Sequence, residues 1–309
     1  MNRAAGAALF ALLAFAANSV LCRMALRQTH IDPASFTSIR VLAGAVTLWV
    51  LVRVSSKDKA AGGSWPSAFA LLAYAIAFSF AYVGLTTGTG ALLLFGAVQV
   101  VMIAAGFFAG ERIDRTVVVG WLLAVAGLIL LLLPGIAAPP ALEAVFMLIA
   151  GIAWGIYSLR GRRSTDALGD TAGNFARSVP GVLLISALFW AHRSADPEGI
   201  VLAALSGSLA SGLGYAAWYT AMPGLGAIVA ANAQLSVPVI AALAGVVLFH
   251  EPITARLAVS SVLVLGGTAL GVRRNLTLPR ARSSIGTQAE ASSPGAAVHR
   301  RGAGPGRRY

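Results

Sequence analysis

The sequence predicts an all-α integral membrane protein with ten transmembrane helices, built as two inverted five-helix repeats. The first observation is composition: of 309 residues, 58% are hydrophobic and 11% are charged, and the mean hydropathy is +0.80. Soluble domains carry about 25% charged residues, so this chain cannot cover its own surface for water. The second observation is a series of apolar blocks, each close to the roughly 20 residues that cross a bilayer as a helix. The third is an internal repeat with five blocks in each copy.

The apolar blocks are continuous rather than alternating, which favours helices over the strands of a membrane barrel. The block after Arg3 has a longer apolar core than the roughly 7–15 residues of a signal peptide, and we interpret it as the first span. In chain order the predicted spans are Ala4–Cys22, Ser35–Val52, Ser67–Leu85, Ala91–Ala109, Val117–Leu133, Leu142–Leu159, Asn174–Trp190, Ile200–Tyr219, Gly226–Phe249 and Leu257–Val272.

The charges of the connecting segments predict the orientation. If the N-terminus is cytoplasmic, nine basic residues lie inside and four lie outside. Because cytoplasmic loops are enriched in Lys and Arg, we expect both termini in the cytoplasm and a multi-pass protein of the bacterial inner membrane. The inside set is Arg3, Arg53, Lys57, Lys59, Arg112, Arg115, Arg160, Arg162 and Arg163, and the outside set is Arg23, Arg27, Arg193 and Arg256.

The net charge of +12 does not indicate nucleic acid as a partner. The segment Arg273–Tyr309 holds eight Arg and one Glu, and thus supplies +7 of the excess without any folded basic face. This segment has no apolar period, so we expect residues 273–309 to form a disordered basic cytoplasmic tail. It either serves as a solvated topology anchor or rests on anionic lipids. The single cysteine, Cys22, excludes an internal disulfide and a cysteine-based metal site.

The internal repeat is offset by 137–140 residues along the chain. The segment GERIDRTVVVGWLLAVAGLILL resembles HEPITARLAVSSVLVLGGTALG, which pairs Glu111 with Glu251, and the match of FTSIRVLAG to NFARSVPG pairs Arg40 with Arg177. The joint falls in Pro134–Pro140, so the predicted repeats are residues 1–137 and 138–272. Since five spans is an odd number, the second repeat must enter the membrane upside down, as in many secondary transporters.

With these motifs the chain resembles the EamA-like family of ten-helix proteins in the drug/metabolite transporter superfamily. The resemblance covers about residues 4–272 and rests on Arg40 and Arg177 early in the second helix of each half. It rests also on Gly-Glu at the end of the fourth helix and on the QLSVPVIAALAGVVLFHEP run of the ninth. Where the ninth helix has Pro238, the fourth has Val98. The resemblance implies a two-lobed bundle around a central cavity, and transport of small metabolites, amino acids or amphipathic compounds, often outward.

Polar and aromatic residues inside the spans are the candidate substrate ligands. Asn18 lies in the middle of helix 1 and aligns with Trp154 of helix 6, and Tyr157 follows one turn later. Asn18 is interpreted equally well as a cavity residue and as a residue that forms a hydrogen bond between helices. On helix 8, spacings of three and four place five residues on one face, and helix 3 carries a second aromatic stripe. These stripes are Ser208, Ser211, Tyr215, Trp218 and Met222 on helix 8, and Tyr74, Phe78 and Tyr82 on helix 3.

These stripes suit a cavity for amphipathic or aromatic solutes. The alternatives are ordinary packing for Tyr215 and a place in the interfacial aromatic belt for Tyr82. Gln99 is the strongly polar residue deep in helix 4. In helix 9, Pro238 is expected to free the carbonyl of Gln234 beside the Gln234 side chain, forming a polar pocket; the alternative is a structural kink.

The charged residues within or beside the spans have a structural interpretation. Arg40 and Arg177 lie about two turns inside their helices, where an arginine can snorkel or bind carbonyls. Glu111 and Glu251 end helices 4 and 9, and a carboxylate at a helix C-terminus needs a partner. We interpret them as packing or gating ion pairs, with proton coupling as the alternative.

Motifs for catalysis are missing: the sequence lacks a protease-type Gly-x-Ser-x-Gly, a phosphate-binding loop and a histidine ligand cluster. We therefore expect a secondary-active or facilitative transporter, without enzymatic activity, cofactor or metal. It is expected to work as an exporter of a small molecule by alternating access, as a monomer or homodimer in the lipid bilayer. The alternatives are a membrane-embedded lipid-processing enzyme and a non-transporting scaffold.

Overall fold

The computed structural model describes residues 3–55, 62–110, 115–135, 137–162, 164–221 and 233–274. Within these ranges the chain is helical and contains no strand. A short 3₁₀ turn, Trp190–His192, follows the seventh helix. The helices in chain order are α1 (Arg3–Gln28), α2 (Pro33–Ser55), α3 (Trp65–Ala81), α4 (Thr87–Phe108), α5 (Arg115–Leu132), α6 (Ala141–Gly161), α7 (Ala167–Leu188), α8 (Pro197–Ala221), α9 (Ser236–Phe249) and α10 (Ala255–Arg274).

Each predicted apolar stretch falls on one of these helices, although the ends differ. Helix α7 begins at Ala167, seven residues before the predicted Asn174. The carboxylate of Asp166 accepts the backbone N–H of Gly169 at 3.1 Å and thereby satisfies one of the free donors of the first turn. Apolarity alone missed this polar first turn. The predicted start of the ninth span, at Gly226, lies outside the described residues.

Six of the described helices are long and apolar enough to cross a membrane: α1, α2, α4, α5, α6 and α8. Three more are apolar but shorter, namely Trp65–Ala81, Ser236–Phe249 and Ala255–Leu270. Helix α7 carries Asp170 and Arg177 within its length and meets neither description. The multi-pass character of the protein is therefore clear, whereas ten complete spans stay a prediction.

Several of the helix contacts have a counterpart when the two halves of the chain are exchanged. Helix α3 packs on α6 as α8 packs on α1, α4 packs on α6 as α9 packs on α1, and α3 packs on α7 as α8 packs on α2. The equivalent helices α2 and α7, α4 and α9, and α5 and α10 pack directly on each other. All ten lie in one compact unit, Met1–Leu276. Two similar halves related by a pseudo-twofold axis would produce this pattern.

The α5–α10 contact depends on glycine. A Cβ placed on Gly127 would lie 2.9 Å from Leu263 Cβ, and one on Gly267 would collide with the Gly120 carbonyl oxygen. Small residues let membrane helices approach this closely, which increases their van der Waals contact. The glycines of the fifth and tenth helices therefore allow the close approach of α5 and α10.

Helix α8 is not a regular α-helix. Residues Ser206–Leu213 form a π-helical segment, in which hydrogen bonds run from i to i+5. The wider turn places Ser206 and Ser211, both buried, on the same face as Tyr215. Ser208, which the sequence places on this face, is half-buried, and its hydroxyl donates to the carbonyl of Ala204 in its own helix at 2.7 Å.

Candidate functional site

At one end of the helix bundle an ion pair joins α1 to the segment after α9. Arg23 Nε on α1 lies 3.0 Å from Glu251 Oε1, which follows α9, and the two side chains are 13% and 10% exposed. The second carboxylate oxygen accepts the backbone N–H of Thr87 at 2.7 Å, at the first turn of α4. A carboxylate is favourable at a helix N-terminus, where it meets free N–H donors and the positive end of the dipole. Glu251 thus joins α1, α4 and α9 at this end.

Below the ion pair lies a buried cavity of about 20 Å³, room for about one water molecule. It lies between α1, α3, α4, α6 and α8, and its walls are mostly aromatic with a few hydroxyl and amide groups. The lining residues are Phe15, Asn18, Ser19, Tyr74, Phe78, Leu94, Phe95, Trp154, Ala210, Ser211 and Tyr215.

The aromatic rings around this cavity form a continuous cluster. Trp154 lies at the centre, with its ring centroid 4.9 Å from that of Tyr74, 5.1 Å from Tyr215 and 5.4 Å from Tyr157. Phe15 meets Tyr215 edge-on at 5.8 Å. These contacts bring the predicted residues Trp154, Tyr157 and Tyr215 together from α6 and α8, two helices that are distant in sequence.

Asn18 both lines the cavity and joins three helices. Its amide nitrogen donates to Tyr74 Oη on α3 at 3.2 Å, and its oxygen accepts from Ser206 Oγ on α8 at 2.6 Å. The two interpretations offered from the sequence, cavity residue and helix-joining hydrogen bond, are therefore compatible in one side chain. Both hydrogen bonds are buried, so each polar group has a partner in the absence of water.

The other end of the bundle opens into a polar vestibule of about 710 Å³. This volume is within the range of small-molecule sites, about 300–1,000 Å³. The side of the vestibule formed by α6, α7, α8 and the start of α3 carries mostly polar and charged side chains. They include Ser64, Ser67, Tyr157, Arg160, Arg162, Ser164, Asp170, Thr171, Asn174 and Tyr219.

A hydrogen-bond network holds the vestibule wall. Asp170 accepts the backbone N–H of Gly63 at 2.7 Å and the Ser164 hydroxyl at 2.5 Å, and Asn174 accepts the N–H of Ser64 at 2.9 Å. Arg160 Nε donates to Ser67 Oγ at 2.9 Å. The wall is thus fixed in place, and the Arg160 guanidinium is held by hydroxyl groups rather than by a carboxylate.

An aromatic layer separates the vestibule from the buried cavity. Tyr157 lines the vestibule, whereas Trp154, one turn earlier on α6, lines the cavity, and the two rings are stacked. Trp218 on α8 is buried, and its ring meets Phe15 at 5.8 Å. The next residue along α8, Tyr219, lies at the vestibule surface.

The two arginines that the repeat pairs have different surroundings. Arg177 Nη1 donates to the carbonyl oxygens of Gly62 and Gly173, so its guanidinium binds backbone at the vestibule end. Arg40 is 2% exposed, and its guanidinium carbon lies 5.0 Å from the Phe78 ring centroid and 5.4 Å from that of Tyr74. Its Nη1 has no acceptor among the described residues.

The glutamine residues and Pro238 are arranged differently from the sequence expectation. Pro238 is the third residue of α9, and the helix is interrupted before it, at Leu235. At this break Ser236 Oγ donates to the carbonyl of Ala233 at 2.6 Å, one residue before the predicted free carbonyl. Gln99 is buried and Gln234 is partly buried, and neither lines the cavity or the vestibule described above.

Tyr82 and Glu111 are the remaining residues that the sequence proposed for the site or its gates. Tyr82 is fully buried beyond the end of α3 and donates to the Thr87 carbonyl at 3.3 Å, so it does not belong to an interfacial belt. It is also not among the residues that line the two cavities described above. Glu111, the first-half glutamate, lies outside the described residues.

Several site residues were missed by the sequence analysis. Ser206 was missed because the π-helical register departs from the period of 3.6, and Phe15 because a single apolar residue in an apolar helix carries no signal. Arg23 was counted only as a loop charge, although it is the partner of Glu251. The pairing with Arg23 could have been suspected from the need of Glu251 for a cation.

These helices, the internal aromatic cavity and the polar vestibule define a multi-pass membrane protein. A sequence profile of the EamA-like transporter family matches residues 141–273. The uncharacterized protein PA1977 of Pseudomonas aeruginosa is 52% identical over 261 residues, which cover 84% of this chain and 91% of that protein. The crystal structure of a protein 17% identical in sequence has the same fold, with a TM-score of 0.59, and the match covers 86% of this chain and 98% of that one.

The chain belongs to the EamA-like transporter family, within the drug/metabolite transporter superfamily. Members of this family are membrane transporters of small molecules rather than enzymes.

Proposed function

We propose that this protein is a secondary-active or facilitative carrier of small amphipathic or aromatic metabolites, amino acids included, that works as an exporter by alternating access. One observation carries the proposal: the polar vestibule is open at one end of the bundle, the Arg23–Glu251 pair closes the other, and the aromatic cavity lies between them. A carrier needs a central site that is reached from one side at a time.

The vestibule end is proposed to face the cytoplasm. Arg53, Arg160 and Arg162 lie at this end, in agreement with the excess of basic residues expected inside. The conformation is then inward-open, and a cytoplasmic solute can enter the vestibule. A reporter fused at Tyr309 tests the topology of the bacterial inner membrane, and a C-terminus found outside would overturn both the orientation and the inverted repeat.

The proposed substrate site is the aromatic cluster around Trp154. Trp154, Tyr157 and Tyr215 offer flat apolar faces, and Asn18 offers an amide on the opposite wall. Since the cavity holds about one water in this conformation, substrate entry requires the rings to separate. Trp218 is proposed to act as a lid on the vestibule side. Gln99, Gln234 and Tyr82 remain proposed ligands of an opened site.

The two repeats, residues 1–137 and 138–272, are proposed to be inverted relative to each other. The exchange of helix contacts between halves, such as α3–α6 with α8–α1, supports this arrangement. Pseudo-symmetric halves that rock against each other would close the vestibule while opening the ion-paired end. We further propose that the arginines of the tail contact anionic lipids. The protein is proposed to work as a monomer or homodimer.

Counterflow in proteoliposomes is the direct test of transport. The purified full chain is loaded against a panel of amino acids, nucleosides and amphipathic amines, with protein-free liposomes as the control. Exchange of at least one compound is expected. If none exchanges, double electron–electron resonance decides whether the protein moves: labels at Ala109 and Arg162 should approach as labels at Val83 and Ile253 separate. Fixed distances together with no exchange would favour a non-transporting scaffold.

A further inference from the structure

Arg40 is a buried cation without a counterion. Its side chain is 2% exposed, and it forms no ion pair with any described residue. The carboxylates in the described ranges all lie at helix ends or in connecting segments, and Glu251 is already paired with Arg23. An unpaired charge inside a membrane protein is costly and marks a functional site by default. The described protein does not supply the negative charge that Arg40 needs.

The hydrogen bonds of Arg40 are equally incomplete. Nη1 is buried and has no acceptor among the described residues, and leaving such a donor unsatisfied is costly. Arg177, its counterpart in the second half, binds two backbone carbonyls with its Nη1. An arginine that only joined helices would be expected to do the same. The difference between these two positions separates a structural arginine from one that is kept available.

The location of Arg40 connects it with the buried cavity. Its guanidinium lies over Phe78 and Tyr74, and both rings line that cavity. The Tyr74 ring in turn contacts Trp154 at 4.9 Å. A ligand that separates the rings would therefore find an apolar aromatic wall on one side and a guanidinium close by. Arginine binds carboxylates strongly because its planar fork matches their two oxygens.

The vestibule has a matching charge. Among its described lining residues, two are cationic, Arg160 and Arg162, and one is acidic, Asp170. The cations therefore exceed the carboxylates by one. Asp170 is also occupied by Gly63 and Ser164. A positive entrance raises the local concentration of anions, and its effect falls with ionic strength.

From these observations we infer that Arg40 is the anion-binding residue of the central site, and that the substrate carries a carboxylate on a flat aromatic or apolar body. The carboxylate supplies the missing counterion, and the rings of Tyr74, Trp154 and Tyr215 cover the body. This inference rests on the proposed transport function and deepens it by naming the chemical class of the substrate.

The test compares matched probes on the purified full chain in lipid nanodiscs. The probes are 3-phenylpropionate, its neutral amide 3-phenylpropionamide, phenylalanine and phenethylamine, and binding is measured by titration calorimetry and by the rise in melting temperature. 3-Phenylpropionate is expected to bind about 10- to 100-fold more tightly than its amide, the size of a charge-assisted hydrogen bond in a buried site. Phenylalanine distinguishes an amino-acid site, which tolerates the ammonium group, from an organic-acid site, which rejects it.

The Arg40→Gln variant should lose the preference for carboxylate over amide, and Arg40→Lys should keep part of it. Arg53→Gln is the matched control, since Arg53 is an exposed arginine on the same helix, and it should keep the full preference. If Arg40→Gln does not fold, the wild-type comparison of acid with amide still decides. Equal binding of the acid and the amide by wild type, or an unchanged preference in a folded Arg40→Gln protein, overturns the inference. If another compound still exchanges in counterflow, the proposed transport function survives that result.

Discussion

Glu251 and Arg23, separated by 228 positions in the chain, meet at 3.0 Å and join α1 to the end of α9. The same carboxylate also binds the first turn of α4 through the N–H of Thr87. Three helices thus converge on one side chain, and its removal should loosen this end without disturbing the aromatic cavity directly.

The first prediction is that Glu251→Gln opens the closed end. The neutral amide keeps the shape of the side chain but loses the ion pair, and a loss of about 1.4 kcal/mol raises the population of the opened state about tenfold. Cys22 is the single cysteine of the chain and is fully buried next to Arg23. Its accessibility therefore reports the opening of this end, and no other cysteine has to be removed first. Its maleimide labelling, followed by mass spectrometry, should accelerate accordingly.

The control for this experiment is Glu143→Gln. Glu143 is a partly buried carboxylate in the first turn of α6, and no described residue forms an ion pair with it. Its neutralisation should leave the Cys22 labelling rate unchanged. Equal labelling of wild type and Glu251→Gln would mean that the ion pair contributes packing rather than closure.

The second prediction concerns substrate affinity. Tyr215→Ala removes a ring that lines the cavity, and Gln234→Ala removes the amide beside the break in α9; each should weaken binding of a transported compound by about 1–3 kcal/mol. Trp218→Ala should change the transport rate more than the affinity, because this side chain lies nearer the vestibule. Concentration dependence of counterflow, with protein confirmed as monodisperse, measures both effects.

Tyr215→Phe is the matched control, because it keeps the ring and removes only the hydroxyl, and it should retain most of the affinity. Unchanged affinity in both alanine variants would show that Tyr215 and Gln234 are packing residues. A loss confined to Tyr215→Ala would place the site in the described cavity and exclude Gln234.

The third prediction compares two serines of α8. Ser206→Ala removes the hydrogen bond to Asn18 on α1, which leaves a buried acceptor unsatisfied. Ser208→Ala removes a bond within α8. We expect the first variant to lower the free energy of unfolding by about 1 kcal/mol, typical of interhelical hydrogen bonds in membranes, and the second to change it by less than about 0.5 kcal/mol. Thermal melts in detergent compare the two, and equal melting temperatures would contradict a stabilising role of the Asn18 bond.

The fourth prediction compares neighbouring glycines on α10. A Cβ on Gly267 would collide with the Gly120 carbonyl, whereas one on Gly266 meets nothing within 4 Å. Gly267→Ala should therefore destabilise the protein by about 1–3 kcal/mol through overpacking. Gly266→Ala should be neutral or stabilising by up to about 1 kcal/mol, the helix propensity difference. The melting temperatures of the two variants should move apart; a loss of the same size in both would show that the α5–α10 approach is not the cause.

The membrane class, the approximate position of each helix and the family follow from the sequence alone, because they depend on local apolarity and on motif order along the chain. The sequence also singled out Trp154, Tyr157, Tyr215 and Glu251, because polar and aromatic groups stand out in apolar helices.

Which of these residues meet depends on how the helices pack. The pairing of Glu251 with Arg23, and the contrast between Arg177 bound to carbonyls and Arg40 without an acceptor, depend on contacts between helices far apart in sequence. The register of α8 also differs from that of a regular α-helix, because the π-helical segment places Ser206 rather than Ser208 next to Asn18. The physical reason is that helix formation follows from local hydrogen bonds and apolarity. The partner of a buried charge or hydroxyl is set by the packing of whole helices.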